Sequence, residues 1–178
     1  MPTHIGFLRA VNIGKRQYRT ADLRSALVGA GYADVETHIQ TGNIKITTPL
    51  RSRAKVEAEL EALFLADRGF EIVTMVFSPQ ELRRLRSDAD DLAERHGFEY
   101  GHYLSLLKTE PSADDAAALE ALSGNGETLV VRGRAVHLLY DVPYGEAKNS
   151  NAQVEKLLGR ATNRNATVIR TLAEKWGS

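Results

Sequence analysis

The order in which strand and helix periods follow one another over residues 4–77 constrains this chain more than any other feature. His4 to Val11 is a short apolar run, interrupted by Gly6 and Arg9, and reads as a buried strand. Asn12 to Arg19 is a polar, basic loop containing Gly14. Thr20 then suits a helix cap, Asp22 favours the positive end of the helix dipole, and Leu23, Ala26, Leu27 and Ala30 recur at helical spacing up to Gly31. Val35, Thr37 and Ile39 alternate, as do Ile44, Ile46 and Thr48, with Thr41-Gly42-Asn43 between them as a tight turn or a bulge. Val56, Leu60, Leu63 and Phe64 mark a second amphipathic helix, and Glu71 to Phe77 is a further apolar strand. Strand–helix–strand–strand–helix–strand is the order of a ferredoxin-like split βαβ unit, in which both helices cover one face of an antiparallel sheet.

The rest of the chain partly repeats this order. Ser78-Pro79-Gln80-Glu81 is a capping box that opens a third helix, so a boundary is expected near residue 78 with 79–101 as the connection. Tyr103 to Lys108 reads as a strand, and Ser112 caps a helix carrying Ala116, Leu119 and Leu122. Thr128–Arg132 and Ala135–Tyr140 flank Gly133-Arg134 as a hairpin, and residues 148–158 and 167–176 read as helices. The expected architecture is therefore α+β, with two ferredoxin-like halves whose antiparallel sheets carry helices on one face. Residues 1–78 form the first half; residues 79–178 supply the connecting helix and a second half that lacks a clear last strand.

Composition excludes several chemistries. Lys plus Arg equals Asp plus Glu at 23 each, so the chain lacks the net positive charge on which duplex-DNA binders rely. Without cysteine there is no disulfide, thiolate zinc site, iron–sulfur cluster or Cys nucleophile. The N-terminal apolar run is too short and polar for a signal peptide or membrane span, so a cytoplasmic, membrane-free protein is expected.

No phosphate-binding loop ending in Gly-Lys-Ser/Thr, no dinucleotide fingerprint, no Gly-x-Ser-x-Gly elbow and no His-Glu-x-x-His pair occurs. His96, Glu99 and His102 have no standard metal-ligand spacing and read as solvated surface groups. Asp88, Asp90 and Asp91 lack the Gly and closing Glu of a calcium loop and read as a solvated helix face. No metal and no cofactor is expected.

Three segments carry a resemblance. They are Phe7-Leu8-Arg9-Ala10-Val11-Asn12-Ile13-Gly14 with Ala21-Asp22-Leu23-Arg24; Thr37-His38-Ile39-Gln40-Thr41-Gly42-Asn43-Ile44; and Gly145-Glu146-Ala147-Lys148-Asn149-Ser150-Asn151 with Thr162-Asn163-Arg164-Asn165. In this order, over nearly the whole chain, they resemble the bacterial family called domain of unknown function 1697. Its hallmarks are a Leu-Arg-Gly-Ile-Asn-Val-Gly opening, a Thr-Tyr-Ile-Gln-Ser-Gly-Asn centre and a Ser-Lys…Asn…Glu helix followed by Thr-x-Arg-Asn. Ala10 stands where the family has Gly, His38 for Tyr, Thr41 for Ser, Ala147 for Ser and Ala166 for an aromatic residue. The resemblance implies the two-lobed ferredoxin-like fold and no particular activity.

The residues singled out as a ligand site are Arg9, Asn12, Gly14, Lys15, Gly42, Asn43, Lys148, Asn151, Arg164 and Asn165. Arg9, set among apolar neighbours, needs either a structural partner such as Asp22 or an anionic ligand. Asn12 to Arg16 is either a solvated basic loop or an anion receptor, with Gly14 permitting close backbone approach. Gln40 to Asn43 has turn chemistry. Lys148, Asn151 and Glu155 share one face if 148–158 is helical, and Asn165 suits the cap of the last helix. Together they suggest a protein that binds a phosphorylated or anionic small molecule between its halves. A single-strand nucleic-acid binder and a ligand-free interaction module are the alternatives, and no specific reaction is indicated.

Overall fold

In a computed structural model describing residues 1–178, the apolar period of the first strand places it at the centre of a sheet. Strand β1 (Thr3–Leu8) pairs antiparallel with β3 (Asn43–Thr47) on one side and β4 (Thr74–Phe77) on the other. β2 (Ala33–His38) adds outside β3, giving the order β2-β3-β1-β4. Helices α1 (Thr20–Gly29) and α2 (Arg53–Arg68) bring Leu23, Leu27, Val56, Leu60 and Phe64 against Leu8, Val35, Ile44, Ile46 and Val76. Gly6 makes that packing possible, because a Cβ there would lie 2.8 Å from Cγ1 of Ile44. This is the expected ferredoxin-like order, with both helices on one face.

β4 is an edge strand, so alternate N–H groups point away from β1 and need other acceptors. Helix α2 supplies them: Glu57 Oε1 accepts from Val76 N at 3.0 Å and Glu61 Oε1 from Thr74 N at 2.9 Å. Glu57 is buried, which explains a carboxylate on the inner side of a helix.

The chain forms two compact units, residues 1–82 with 175–178, and residues 83–174. Helix α3 (Pro79–His96) opens with the expected capping box: Ser78 N donates to Glu81 Oε2 at 2.8 Å, and Glu81 N to Ser78 Oγ at 3.1 Å. In the second unit, β5 (Gly101–Leu107) is central, paired with β7 (Ala135–Tyr140) and β8 (Ala161–Asn165), while β6 (Glu127–Arg132) adds outside β7. The order β6-β7-β5-β8 repeats the first sheet. β8 is the last strand that the sequence did not reveal, so this half has its full set of four. Helices α4 (Ala113–Glu120) and α5 (Asn151–Leu158) pack Leu119 and Val154 onto Leu129, Val136 and Leu138; α6 (Ala166–Trp176) ends the chain. No helix is long and apolar enough to cross a membrane.

His102 is not a surface group. It is 2% exposed and His137 is fully buried, with His102 Nε2 and His137 Nδ1 hydrogen-bonded at 3.0 Å. Their outer nitrogens, His102 Nδ1 and His137 Nε2, are buried without partners. Burial pulls His102 down to about 4, with Arg170 adding to the effect and Asp90 opposing it. Burial, His102 and Arg132 pull His137 down to about 3. The aspartates of α3 lie on a solvated face, as expected, and meet cations there: Asp88 and Asp91 lie 3.9 and 3.5 Å from Arg132, and exposed Asp90 accepts from Arg170 at 2.7 Å.

Two stability outcomes follow from these cores. Leu27→Ala or Leu60→Ala should cost about 2–5 kcal/mol, as full burial of a Leu implies, and an unchanged urea midpoint would place these leucines outside the core. Unfolded histidine binds a proton below about pH 6.5, whereas the buried pair does not until near pH 4. The unfolded chain therefore holds more protons in this window, and stability, full above about pH 6.5, falls with pH by about 2 kcal/mol per ring on reaching pH 5. Urea titrations at pH 7.5 and 5 should show that loss, and His137→Leu should make it shallower; equal midpoints at both pH values in the wild type would contradict the burial.

Candidate functional site

At the C-terminal end of β1 the chain stays attached to the sheet for one more residue, Arg9 N donating to Val73 O at 2.8 Å. Arg9 therefore lies just past the strand rather than within it, and is half-buried. Asp22, a candidate partner for it by sequence, faces Arg68 at 3.9 Å. Beyond Arg9 the backbone alternates in hand. Ala10, Asn12 and Gly14 have φ of 56°, 56° and 59°, whereas residues 9, 11 and 13 keep negative φ. A left-handed Ala is costly, which accounts for Gly at this position in the family pattern. Alternation of this kind turns successive N–H groups toward a common concavity, an arrangement that receives anions. The N–H groups of Ala10, Val11 and Asn12 make no hydrogen bond to other backbone atoms.

Asn12 itself is a brace. Its Oδ1 accepts from Tyr18 N at 2.8 Å and its Nδ2 donates to Gln40 O. Tyr18 is buried against Phe64 with ring centroids 5.7 Å apart, and donates to Asp67 at 2.7 Å. Burial, helped by that hydrogen bond to Asp67, raises its phenol above the usual range. Ile13 and Arg16 close a tight turn with mutual backbone bonds of 3.1 and 3.0 Å, which puts Gly14 and exposed Lys15 at its tip. Arg16 is drawn back, its guanidinium 4.7 Å above the Phe70 ring and donating to Glu71 O.

The β2–β3 turn comes to the same end of the sheet, because Phe7, Asn43 and His38 are aligned across β1, β3 and β2. Gly42 is required there: its φ is 81°, and a Cβ would sit 2.7 Å from Leu8 Cβ and 2.8 Å from Val11 Cγ2. Its carbonyl accepts from Leu8 N at 2.8 Å. Asn43 is buried and its Nδ2 donates to His38 O and Thr41 Oγ1, both at 2.9 Å. Arg9, Asn12, Gly14, Lys15, Gly42 and Asn43 are thus collected at one end of one sheet, with Asn12, Gly42 and Asn43 holding the loops in place.

The second unit does not gather its four residues at one point. Helix α5 begins at Asn151, so Lys148 lies in the preceding loop and does not share a helix face with Asn151 and Glu155. Those two pin the start of β8: Asn151 Nδ2 donates to Ala161 O at 3.0 Å, and Glu155 Oε1 accepts from Ala161 N at 2.9 Å. Asn165, at the other end of β8, accepts from Thr167 N at 2.9 Å and caps α6 as its sequence position implied. Arg164 is buried and donates to Thr162 Oγ1 and Asn163 O, both at 2.8 Å; burial lowers its guanidinium to about 10. The side chain of Lys148 is exposed, while its N–H and that of Asn149 are held by the buried carboxylate of Glu127 at 3.2 and 2.8 Å. Sequence reasoning passed over Glu127; its signal is a Glu in the same phase of β6 as Leu129 and Val131. No group of three or more His, Asp or Glu side chains is placed to hold a metal ion.

The fold is shared with a solved structure, the conserved bacterial protein SP0830 from Streptococcus pneumoniae. It matches with a TM-score of 0.79 at 20% identity, covering 100% of this chain and 99% of that one. A comparison with curated proteins finds no match. The family model described as protein of unknown function (DUF1697) matches residues 1–137, and the chain belongs to that family.

Proposed function

We propose that this protein binds a phosphorylated or otherwise anionic small molecule at the β1–α1 loop of its first unit, and that it does so in the cytoplasm. The observation that carries the reading is the alternating backbone of residues 9–14, with the N–H groups of Ala10, Val11 and Asn12 free of backbone acceptors. Arg9, Lys15 and Arg19 surround this stretch in sequence and supply positive charge. Asn12, Gly42 and Asn43 fix the loop before a ligand arrives, which lowers the ordering cost of binding. The cytoplasm suits a chain without cysteine.

Thermal unfolding in inorganic phosphate and in a panel of sugar phosphates and nucleotides tests the proposal. At least one anion should raise the wild-type Tm, and Arg9→Met and Lys15→Met should blunt the rise. Ala10→Gly tolerates the same φ and should keep it. Asn12→Ala should lower the Tm in buffer alone, because it leaves Tyr18 N and Gln40 O without their partner. If no anion moves the wild-type Tm, or Lys15→Met responds as the wild type does, the loop is not the binding site.

A further inference from the structure

The second unit spends a buried charge on holding a surface loop. Glu127 is 5% exposed, yet both its oxygens are committed to the N–H groups of Lys148 and Asn149. Tyr140, fully buried, donates its hydroxyl to Asn149 O at 2.6 Å and fixes the loop at the same point. Burying an ionised carboxylate costs several kcal/mol unless its hydrogen bonds are made. A connection between β7 and α5 does not by itself require such anchoring.

What the anchored loop presents is an aromatic ring. Tyr144, in a 3-10 turn at Tyr144–Glu146, is 52% exposed and lies 4.9 Å from the half-buried ring of Tyr103, the two planes inclined by 49°. Tyr103 is held in turn by Tyr140, 5.9 Å away, and by Gly101, where a Cβ would come within 2.6 Å of its ring. The outer ring therefore rests on a fixed support, which Tyr140 joins at 6.0 Å, and about half of the residue is open to solvent. A single exposed ring is too small for a stable protein interface, which needs on the order of 1,000 Å². It matches the face of one planar heterocycle, and base–aromatic stacking depends on such a rigid, accessible ring. Lys148 and Glu146 are both exposed in the same loop, so their charges largely offset and the ring dominates recognition.

We propose that the Tyr103–Tyr144 pair is a stacking site for a nucleobase, carried either by a free nucleotide or by a single-stranded oligonucleotide. The site lies in the second unit, and the proposal does not rest on the anion-binding reading of the first. Calorimetry with adenosine monophosphate, a short thymidine oligonucleotide and ribose 5-phosphate tests it, with each titration run in saturating inorganic phosphate to occupy the first unit's loop. At least one base-bearing ligand should still bind, ribose 5-phosphate should not, and the tighter of the two base-bearing ligands identifies the source. Tyr144→Ala should weaken binding by roughly tenfold, and Tyr144→Phe, which keeps the ring, should retain it. The Tyr103 ring resonances should move on binding. The proposal is overturned if neither base-bearing ligand binds at millimolar concentration, if ribose 5-phosphate binds equally well, or if Tyr144→Ala binds as the wild type does.

Discussion

Carboxylates that accept hydrogen bonds from leftover backbone N–H groups hold this structure together. Each sheet ends in an outer strand with N–H groups facing away from its neighbour, and each is laced by a helix: β4 by Glu57 and Glu61 of α2, β8 by Glu155 of α5. Without them, buried donors would be left unpaired at about 1–3 kcal/mol apiece. The same device recurs where Glu81 receives Ser78 N, where Asp141 receives Glu99 N and where Glu127 clamps the loop before α5. The lacing fixes the helices along the outer strands and so decides where the connecting loops emerge. Against that pattern, the N–H groups at Ala10, Val11 and Asn12 are left open in a loop that is otherwise braced on both sides.

Most of the fold was legible because its elements announce themselves by period. Leu23 and Leu27, or Val56, Leu60 and Phe64, can only be a helix stripe, and the Ser78–Glu81 box and the Gly133-Arg134 turn are local devices that need no tertiary context. β8 was not legible because Ala-Thr-Asn-Arg-Asn has no apolar alternation; it buries Thr162 and Arg164 instead, and its strand character comes from pairing with β5. His102 reads as polar beside His96, and only its diagonal placement next to His137 on adjacent strands makes it a core residue.

The candidate site was legible as a set of residues but not as a division of labour. The family motif draws attention equally to Asn12, Gly42, Asn43, Asn151 and Asn165, and in the structure each of these serves the backbone: a brace, a close approach, a turn lock, a strand anchor and a helix cap. Lys148 looked like the start of a helix because the apolar stripe of Val154, Leu157 and Leu158 follows it, whereas Glu127 holds the N–H groups of Lys148 and Asn149 in a bend and the helix begins only at Asn151. The left-handed conformation of Ala10 is invisible in an alanine; it shows in the family pattern only as the Gly that this chain replaces.

What distinguishes a ligand loop from a merely well-tied one is whether its open amides meet an anion. Backbone amide resonances of Ala10, Val11 and Asn12, followed while inorganic phosphate is titrated into the full-length protein, test this directly. Saturable downfield shifts concentrated at these amides are expected of a ligand loop, with Lys15 moving alongside them and the amides of the β2–β3 turn nearly still. Shifts that never saturate, or that spread over exposed Lys and Arg residues while Ala10 to Asn12 stay fixed, would contradict it.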